Sequence, residues 1–440
     1  MNMLKKVTKI AMSLALSALM LVGCKADDDI IITSFSLDGA EYVCFEPTQT
    51  IKVGYNKQRI SKIEVTQSPE GWTVTNRDNK YLEITAPNTT HTDIETIEVK
   101  GISPEGNSNS DKLKVQVLAA DNLSTKGVAN CYIAPTEGRL AFDGTAVAGS
   151  NKALDFTSAE LLWCAPEGCV YSVQVLNGKV SFSTSATSGN AVIAVRDAKK
   201  NILWSWHIWV ADYNPEENII DGMMSRNLGA SDQVGDTESS AWAASGLYYQ
   251  WGRKDPFVGG KSYMSTVNQN MYNADGEWVG VKYLKTGKTY GTVDYAIKNP
   301  LTLLYGIEST DYDWHFAKRD NTLWSATTKS MYDPCPAGWR VAAESAFAGI
   351  SMESVEGEYL RGWEVRMADT VSYFAAAGRR SFVSGELTNV DVTGYLPVGF
   401  VWSASAKATK AAALEFTPTT LAMGEIYRAN ACPVRCCKIQ

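Results

Sequence analysis

The chain has 440 residues, 45% of them apolar and 20% charged, with 41 Lys and Arg against 48 Asp and Glu for a net charge of -7. This length and balance exclude a single small module and a mainly disordered chain, and leave room for roughly two to four domains. The acidic balance offers no cationic surplus for phosphates, which argues against nucleic acid, and 13 Trp and 20 Tyr beside three His favour binding over proton-transfer chemistry.

In chain order, Lys5, Lys6 and Lys9 precede an apolar run from Ile10 to Leu21, too short to span ~30 Å of hydrocarbon but suited to an export signal. The run closes on Leu21-Val22-Gly23-Cys24, which resembles a bacterial lipobox: residues 1–23 are the signal peptide, and the Cys24 thiol carries the lipid. Two acyl chains at ~0.8 kcal/mol per buried CH₂ make a stable anchor, so the membrane is a partner through lipid only. Residues 24–29 form an acidic linker, and Lys25-Ala26-Asp27-Asp28-Asp29 resembles the tag that sends lipoproteins of the Bacteroidota to the outer face of the outer membrane. Nine cysteines, Cys24 among them, leave an even number suited to an oxidising compartment. Cys164 and Cys169 flank Ala165-Pro166-Glu167-Gly168, a turn composition compatible with a short hairpin disulfide. Cys335, Cys432, Cys436 and Cys437 could hold zinc if reduced; at a cell surface disulfides are favoured.

Residues 30–119 alternate apolar and polar in short runs, such as Tyr81-Leu82-Glu83-Ile84 and Lys112-Leu113-Lys114-Val115, separated by turn signals such as Ser68-Pro69-Glu70-Gly71. Period two with this spacing predicts an immunoglobulin-like sandwich, with Trp72 in its core. A polar stretch from Ala119 to Lys126 reads as a linker, and a second all-β domain occupies 124–211. In its last strand Trp204, Trp206, Ile208 and Val210 share one face, and Ser205, His207 and Trp209 the other, which makes His207 a structural histidine.

From Asp212 to Gln440 the pattern mixes helix and strand, predicting an α+β domain. Ala244, Leu247, Tyr248 and Trp251 fall at i, i+3, i+4, i+7 as one helical stripe after a cap at Ser239 or Ser240. A second helix is expected over Val293–Ile297, stopping before Asn299-Pro300, and a third over Ala342–Ile350. Strands are expected around Val371–Ala376, Val401–Ser403, Ala413–Phe416 and Pro433–Cys436. The stretch 257–322 is rich in Asn, Asp, Gly, Tyr and Trp, the composition of a functional loop.

Several runs in this last domain carry a resemblance: Arg226-Asn227-Leu228-Gly229-Ala230, Gly246-Leu247-Tyr248-Tyr249-Gln250-Trp251-Gly252-Arg253-Lys254-Asp255-Pro256-Phe257, Tyr332-Asp333-Pro334-Cys335-Pro336-Ala337-Gly338-Trp339-Arg340-Val341, Val401-Trp402-Ser403 and Pro433-Val434-Arg435-Cys436. Together they resemble the major paralogous domain family first described from Fibrobacter, found at the end of many fimbrillin-like surface lipoproteins of the Bacteroidota. The resemblance implies a fold similar to C-type lectins and a disulfide between Cys335 and Cys436. Ala342-Ala343 departs from the family's Pro followed by Ser or Thr, which weakens the cap of the third helix, and Cys437 beside Cys436 leaves the pairing partner ambiguous.

Neither the Glu-Pro-Asn nor the Gln-Pro-Asp calcium triplet of the lectins occurs, and no nucleotide, zinc-protease or serine-hydrolase motif is present. The expectation is a non-enzymatic surface lipoprotein without cofactor or metal that captures a glycan or host-surface ligand. Trp278, Tyr283, Asp311, Asp313 and Trp314 are its candidate contacts, aromatic faces for pyranose C–H surfaces and carboxylates for hydroxyls. The alternative is a structural or tip subunit of a fimbria, assembled with other subunits by strand addition at a sheet edge. A hydrolase acting through Asp311 and Asp313 is a third reading.

Overall fold

The computed structural model describes residues 33–38, 42–151, 153–176, 178–263, 265–306, 311–316, 319–388 and 397–439. The export signal, Cys24 and the acidic run after it lie outside the described residues. The chain falls into two compact bodies that divide near residue 117.

The first body is a β-sandwich of eight strands: β1 (Ser34–Leu37), β2 (Tyr42–Phe45), β3 (Thr50–Gln58), β4 (Lys62–Gln67), β5 (Thr73–Arg77), β6 (Tyr81–Thr85), β7 (His91–Ile102) and β8 (Ser108–Val117). One sheet has the order β1-β3-β6-β5 and the other β2-β8-β7-β4. The period-two pattern decides the faces: Leu82, Ile84, Ile97, Val99, Leu113 and Val115 are buried, while Glu83, Glu98 and Lys114 between them are not. Trp72 is a core residue whose Nε1 donates to Glu95 Oε2 at 2.7 Å.

The second body begins with β9 (Asp121–Asn122), β10 (Cys131–Ala134), β11 (Arg139–Asp143), β12 (Ser158–Ala165), β13 (Val170–Leu176), β14 (Lys179–Thr184), β15 (Gly189–Arg196) and β16 (Ile202–Val210). A four-stranded sheet, β13-β14-β11-β9, faces a six-stranded one, β10-β16-β15-β12, extended by the two-residue strands Met271–Tyr272 and Trp278–Val279. Between the sheets lie Phe142, Phe182, Ile193, Trp204, Trp206 and Ile208. The other face of the six-stranded sheet is also buried. There Trp163, Val192 and Trp209 join Trp251, Trp314, Trp324, Trp339 and Trp402 in one continuous core. The core therefore runs across residue 212, where the sequence suggests a boundary, because β16 carries apolar groups on both faces and needs a cover on each.

Beyond Asp212 the regular elements among the described residues are mostly short strands, with only two short α-helices where the sequence pattern predicts an α+β domain. The first helix spans Glu238–Ala244 under a capping box from Thr237 and Ser240, not from Ser239 or Ser240 onward. It stops because Gly246 has φ +71° and lies so close to Leu228 O that a Cβ would sit 2.8 Å away. The stripe to Trp251 is thus split: Tyr249–Gln250 is a strand paired with Ala431–Cys432. The second helix, Val293–Lys298, is capped by Thr292 and ends at Asn299. The third expected helix is reduced to a 3₁₀ turn, Glu344–Phe347, whose cap residue Ala343 offers no side-chain acceptor. Among the described residues no helix is long and apolar enough to cross a membrane.

Cys335 and Cys436 form a disulfide, so Cys436 rather than Cys437 is the partner. This bond removes two of the four sulfurs that zinc would need, and no cluster suited to a metal occurs among the described residues. Cys164 and Cys169 differ from the expected bridge: both are buried free thiols, and the Cys169 thiol donates to Asn190 O at 3.7 Å.

Candidate functional site

The stretch 257–322 is organised as short elements, and it brings only some of the candidate residues to the surface. Its most exposed part is the hairpin Met271–Val279. The side-chain carbonyl of Asn273 accepts from the backbone N–H groups of Asp275 and Glu277 at 3.0 and 2.9 Å, and Gly276 completes the turn at φ +74°. Met271 pairs with Val279 and Tyr272 with Trp278. Because strand neighbours alternate in face, Met271 and Val279 sink into the core and anchor the hairpin, while Tyr272 and Trp278 lie opposite each other on the other side. Trp278 is 67% exposed. The hairpin joins the six-stranded sheet at Tyr272, in register with Cys164. Asp275 and Glu277 are exposed in the turn, Glu277 Oε2 accepting from Asn273 Nδ2 at 3.1 Å, and Glu167 Oε1 would lie 2.9 Å from a Cβ on Gly276. A flat indole anchored on a sheet can stack on C–H surfaces, and the carboxylates of the adjoining turn can accept from hydroxyls.

Tyr283 occupies a different place. Its hydroxyl accepts from Asn268 Nδ2 at 2.8 Å and from Arg380 Nη1 at 3.1 Å. Arg380 is fully buried and also donates to Val258 O and Asn268 Oδ1, so Tyr283 braces an internal guanidinium.

Trp314 and Asp313 are inside the protein. Trp314 is 1% exposed, and its Nε1 donates to Trp251 O at 2.8 Å, which makes it a core residue rather than a surface contact. Asp313 is 3% exposed, accepts from the His315 backbone N–H at 3.0 Å and faces Arg428 at 3.9 Å. Burial pushes its carboxyl up to about 6 against the opposing pull of that N–H and of Arg428. Asp311 is ion-paired with Arg319. A long apolar-poor segment needs its own anchors, and these aromatic and acidic side chains supply them. Tyr272 went unrecognised in the sequence, although the Asn273-Ala274-Asp275-Gly276 turn between two short apolar runs is a hairpin signal.

Two clefts lie elsewhere in this body. One of 330 Å³ is lined by Asn190, Trp242, Tyr248, Tyr263 and Gln269 with several serines and no charged side chain. The other, of 630 Å³, lies between β10 and the segment around Asp212–Asn218, with Glu216, Glu217 and Trp339 in its wall. Both volumes are of the size that holds small ligands.

His207, Ser205 and Trp209 face the region beyond residue 212. His207 Nδ1 meets Tyr249 Oη at 3.1 Å and Nε2 meets Asn190 Oδ1 at 2.9 Å, and burial brings its pKa down to about 3. Ser205 Oγ donates to Asp255 Oδ1 at 2.6 Å, and Lys254 Nζ lies 2.7 Å from the same oxygen. These groups join two parts of one body and expose no reactive atom.

No protein-family model matches this chain, and no curated protein matches it. Solved structures that match include the BIgI domain of the beta protein from S. agalactiae bound to CEACAM1, at 14% identity and TM-score 0.17, over 20% of this chain and 100% of that one. SGBP-B of the Bacteroides ovatus mixed-linkage glucan utilization locus, in complex with a mixed-linkage heptasaccharide, matches at 12% identity and TM-score 0.14, over 39% of this chain and 42% of that one. An endo-fucoidan hydrolase of glycoside hydrolase family 107 matches at 11% identity and TM-score 0.18, and this chain spans 32% of its length. Likenesses this slight establish neither a family nor a ligand.

Proposed function

We propose that this chain is a non-enzymatic, lipid-anchored protein of the outer membrane, facing the cell exterior, which captures a glycan on the exposed Trp278 hairpin. The lipobox-like Leu21-Val22-Gly23-Cys24 and the acidic run after it supply the anchor and the address. The body beyond residue 117 is the binding part, its C-terminal half being the region that resembles a lectin-like major paralogous domain. The observation that carries the reading is Trp278, 67% exposed and set directly opposite Tyr272 on a hairpin whose other face is buried. A large ring held in water on a rigid support loses little conformational freedom on binding, which favours stacking on a pyranose. The test is a glycan-array screen of the chain from Lys25 onward, beside Trp278→Ala. Binding lost in the variant supports the hairpin site. Binding retained moves the site to the uncharged 330 Å³ cleft, and silence from the folded chain ends the glycan reading.

A second reading, a fimbrial subunit built by strand addition, is favoured by β10. It is the edge strand of its sheet. The His207 N–H donates to Asn130 O and the Ala211 N–H to Ala134 O, so alternation turns the amides of Cys131 and Ile133 away from β16, toward the 630 Å³ cleft. Ladders of oligomers on gels, abolished by Ile133→Pro, would be its signature.

A further inference from the structure

We propose that the uncharged 330 Å³ cleft is a second binding site, separate from the Trp278 hairpin, and that it takes a neutral mono- or disaccharide from solution. One wall is Asn190, at the start of β15. Its carboxamide is fixed from two sides, Oδ1 meeting His207 Nε2 at 2.9 Å and Nδ2 donating to Gly229 O at 2.9 Å. The second Nδ2 hydrogen has no acceptor among the described residues. Another wall is Gln269, half-buried and held by its backbone N–H, which donates to Gly259 O at 2.8 Å. Its carboxamide makes no hydrogen bond among the described residues. At the mouth, Ser188 and Ser231 are exposed, and their hydroxyls are likewise unengaged there.

Three aromatic residues supply the carbon surface. Tyr248 and Tyr263 are buried and give their hydroxyls to the carbonyls of Ala377 and Arg361, so they present ring rather than phenol. Trp242, on the Glu238–Ala244 helix, is half-buried, and its Nε1 donates to Gly260 O at 2.7 Å. That bond fixes the indole by one edge and leaves its faces out of the hydrogen bonding. Five of the lining residues are glycines, which keeps open the space that side chains would fill. At Gly229, where φ is +85°, a Cβ would lie 3.0 Å from Asn190 Oδ1.

The lining selects its ligand by charge and by type of hydrogen bond. A carboxylate, phosphate or ammonium entering the cleft would give up water and meet no counter-ion. A purely apolar ligand would cover the Gln269 carboxamide and the Asn190 hydrogen without pairing them. Carboxamides and serine hydroxyls donate and accept, as sugar hydroxyls do, and an indole suits the C–H side of a pyranose. The volume is near the lower end of the range for ligand pockets, which fits one or two sugar rings rather than a long chain. The site shares the sugar chemistry of the glycan reading but none of its residues, since Trp278 and Tyr272 do not line it.

The test is titration calorimetry on the chain from Lys25 onward with glucose, galactose, mannose, N-acetylglucosamine, maltose, cellobiose and lactose, and with glucuronate and glucosamine as charged counterparts. At least one neutral sugar is expected to saturate the wild type, and the charged counterparts to bind at least about tenfold more weakly. Gln269→Ala is expected to weaken binding about tenfold, and Trp242→Ala to abolish it. Trp278→Ala should bind the small sugar as the wild type does. Near-ultraviolet dichroism confirms that each variant is folded. Silence of the wild type toward every free sugar, loss of binding in Trp278→Ala, equal or tighter binding of a charged counterpart, or wild-type affinity in folded Gln269→Ala would each overturn the proposal. Capture of array glycans by a wild type that ignores every free sugar removes this site and leaves the hairpin reading standing; binding of a free sugar by a chain that is silent on the array does the reverse.

Discussion

Tyr249 Oη and His207 Nδ1 meet at 3.1 Å, which ties β16 to the chain beyond residue 212 through a pair of fully buried side chains. The acceptor Asn190 Oδ1 on the other side, at 2.9 Å, assigns the imidazole proton to Nε2, so Nδ1 accepts from Tyr249 and the ring is satisfied only when neutral.

That neutrality has a pH consequence. Burial brings His207 down to about 3, against about 6.5 in the unfolded chain. Between those values the unfolded state binds a proton that the native state refuses, so stability is fully present above pH 6.5 and falls as the pH drops, by up to ~1.4 kcal/mol per unit. Asp313, raised to about 6, acts with the opposite sign, its contribution falling as the pH rises from about 3.8 to 6. The difference between wild type and His207→Gln isolates the imidazole: urea midpoints from pH 7 to 4 should decline less steeply in the variant. Parallel profiles would show that His207 is protonated in the native state.

Trp278 and Trp314 should separate binding from stability. Trp278→Ala removes an exposed ring and should leave the unfolding midpoint within about 0.5 kcal/mol of wild type while abolishing glycan capture. Trp314→Ala empties a core position and leaves the Trp251 carbonyl without its donor, for a loss of about 3 to 5 kcal/mol. Denaturant titration beside the glycan array checks both.

How far the sequence speaks depends on which neighbours an element has. Alternation alone is enough to place Leu82, Ile84, Leu113 and Val115 in the first core, because that sandwich is built from its own strands. It also sorts the faces of β16 correctly, with Trp204, Trp206, Ile208 and Val210 against one sheet. It does not reveal that the Ser205, His207 and Trp209 face is covered, since the cover comes from residues some fifty positions away. The same limit misplaces Trp314: composition marks 257–322 as a loop, and only tertiary packing distinguishes the ring that fills the core from the Trp278 ring that does not. The helical stripe through Trp251 fails for a local reason, the positive φ of Gly246, which ends the helix while leaving Leu247, Tyr248 and Trp251 buried.

The disulfide closes a long loop. Cys335 and Cys436 are 101 residues apart, and chain-entropy arguments give about 4 to 5 kcal/mol for such a loop. Lys329 holds the same corner, its Nζ donating to Asp333 Oδ1 at 2.9 Å, Cys335 O at 2.7 Å and Trp339 O at 2.8 Å. Cys335→Ser should therefore lower the unfolding free energy by about 4 kcal/mol. Reductant should destabilise the wild type by a similar amount and Cys335→Ser hardly at all. Equal sensitivity of both to reductant would contradict this.

The last prediction concerns where the chain can be cut. If the region beyond residue 212 were a domain, the fragment 212–440 would fold alone. In the structure its core includes Trp163, Val192 and Trp209 from β12, β15 and β16. Lys254 and Asp255 are nearly fully buried, and Ser205 supplies two acceptors to the ammonium, its carbonyl at 2.9 Å and its hydroxyl at 2.6 Å. Removing the strands uncovers several tryptophans at once and leaves a buried ion pair with part of its hydrogen bonding gone, a loss on the order of several kcal/mol per site. A stability of ~5 to 15 kcal/mol does not absorb that. The fragment 118–440 should unfold cooperatively with sharp near-ultraviolet dichroism, whereas 212–440 should lack that signal and expose apolar surface to dye. A cooperative transition in the shorter fragment would restore the boundary at residue 212 and make the shared core an interface between two domains.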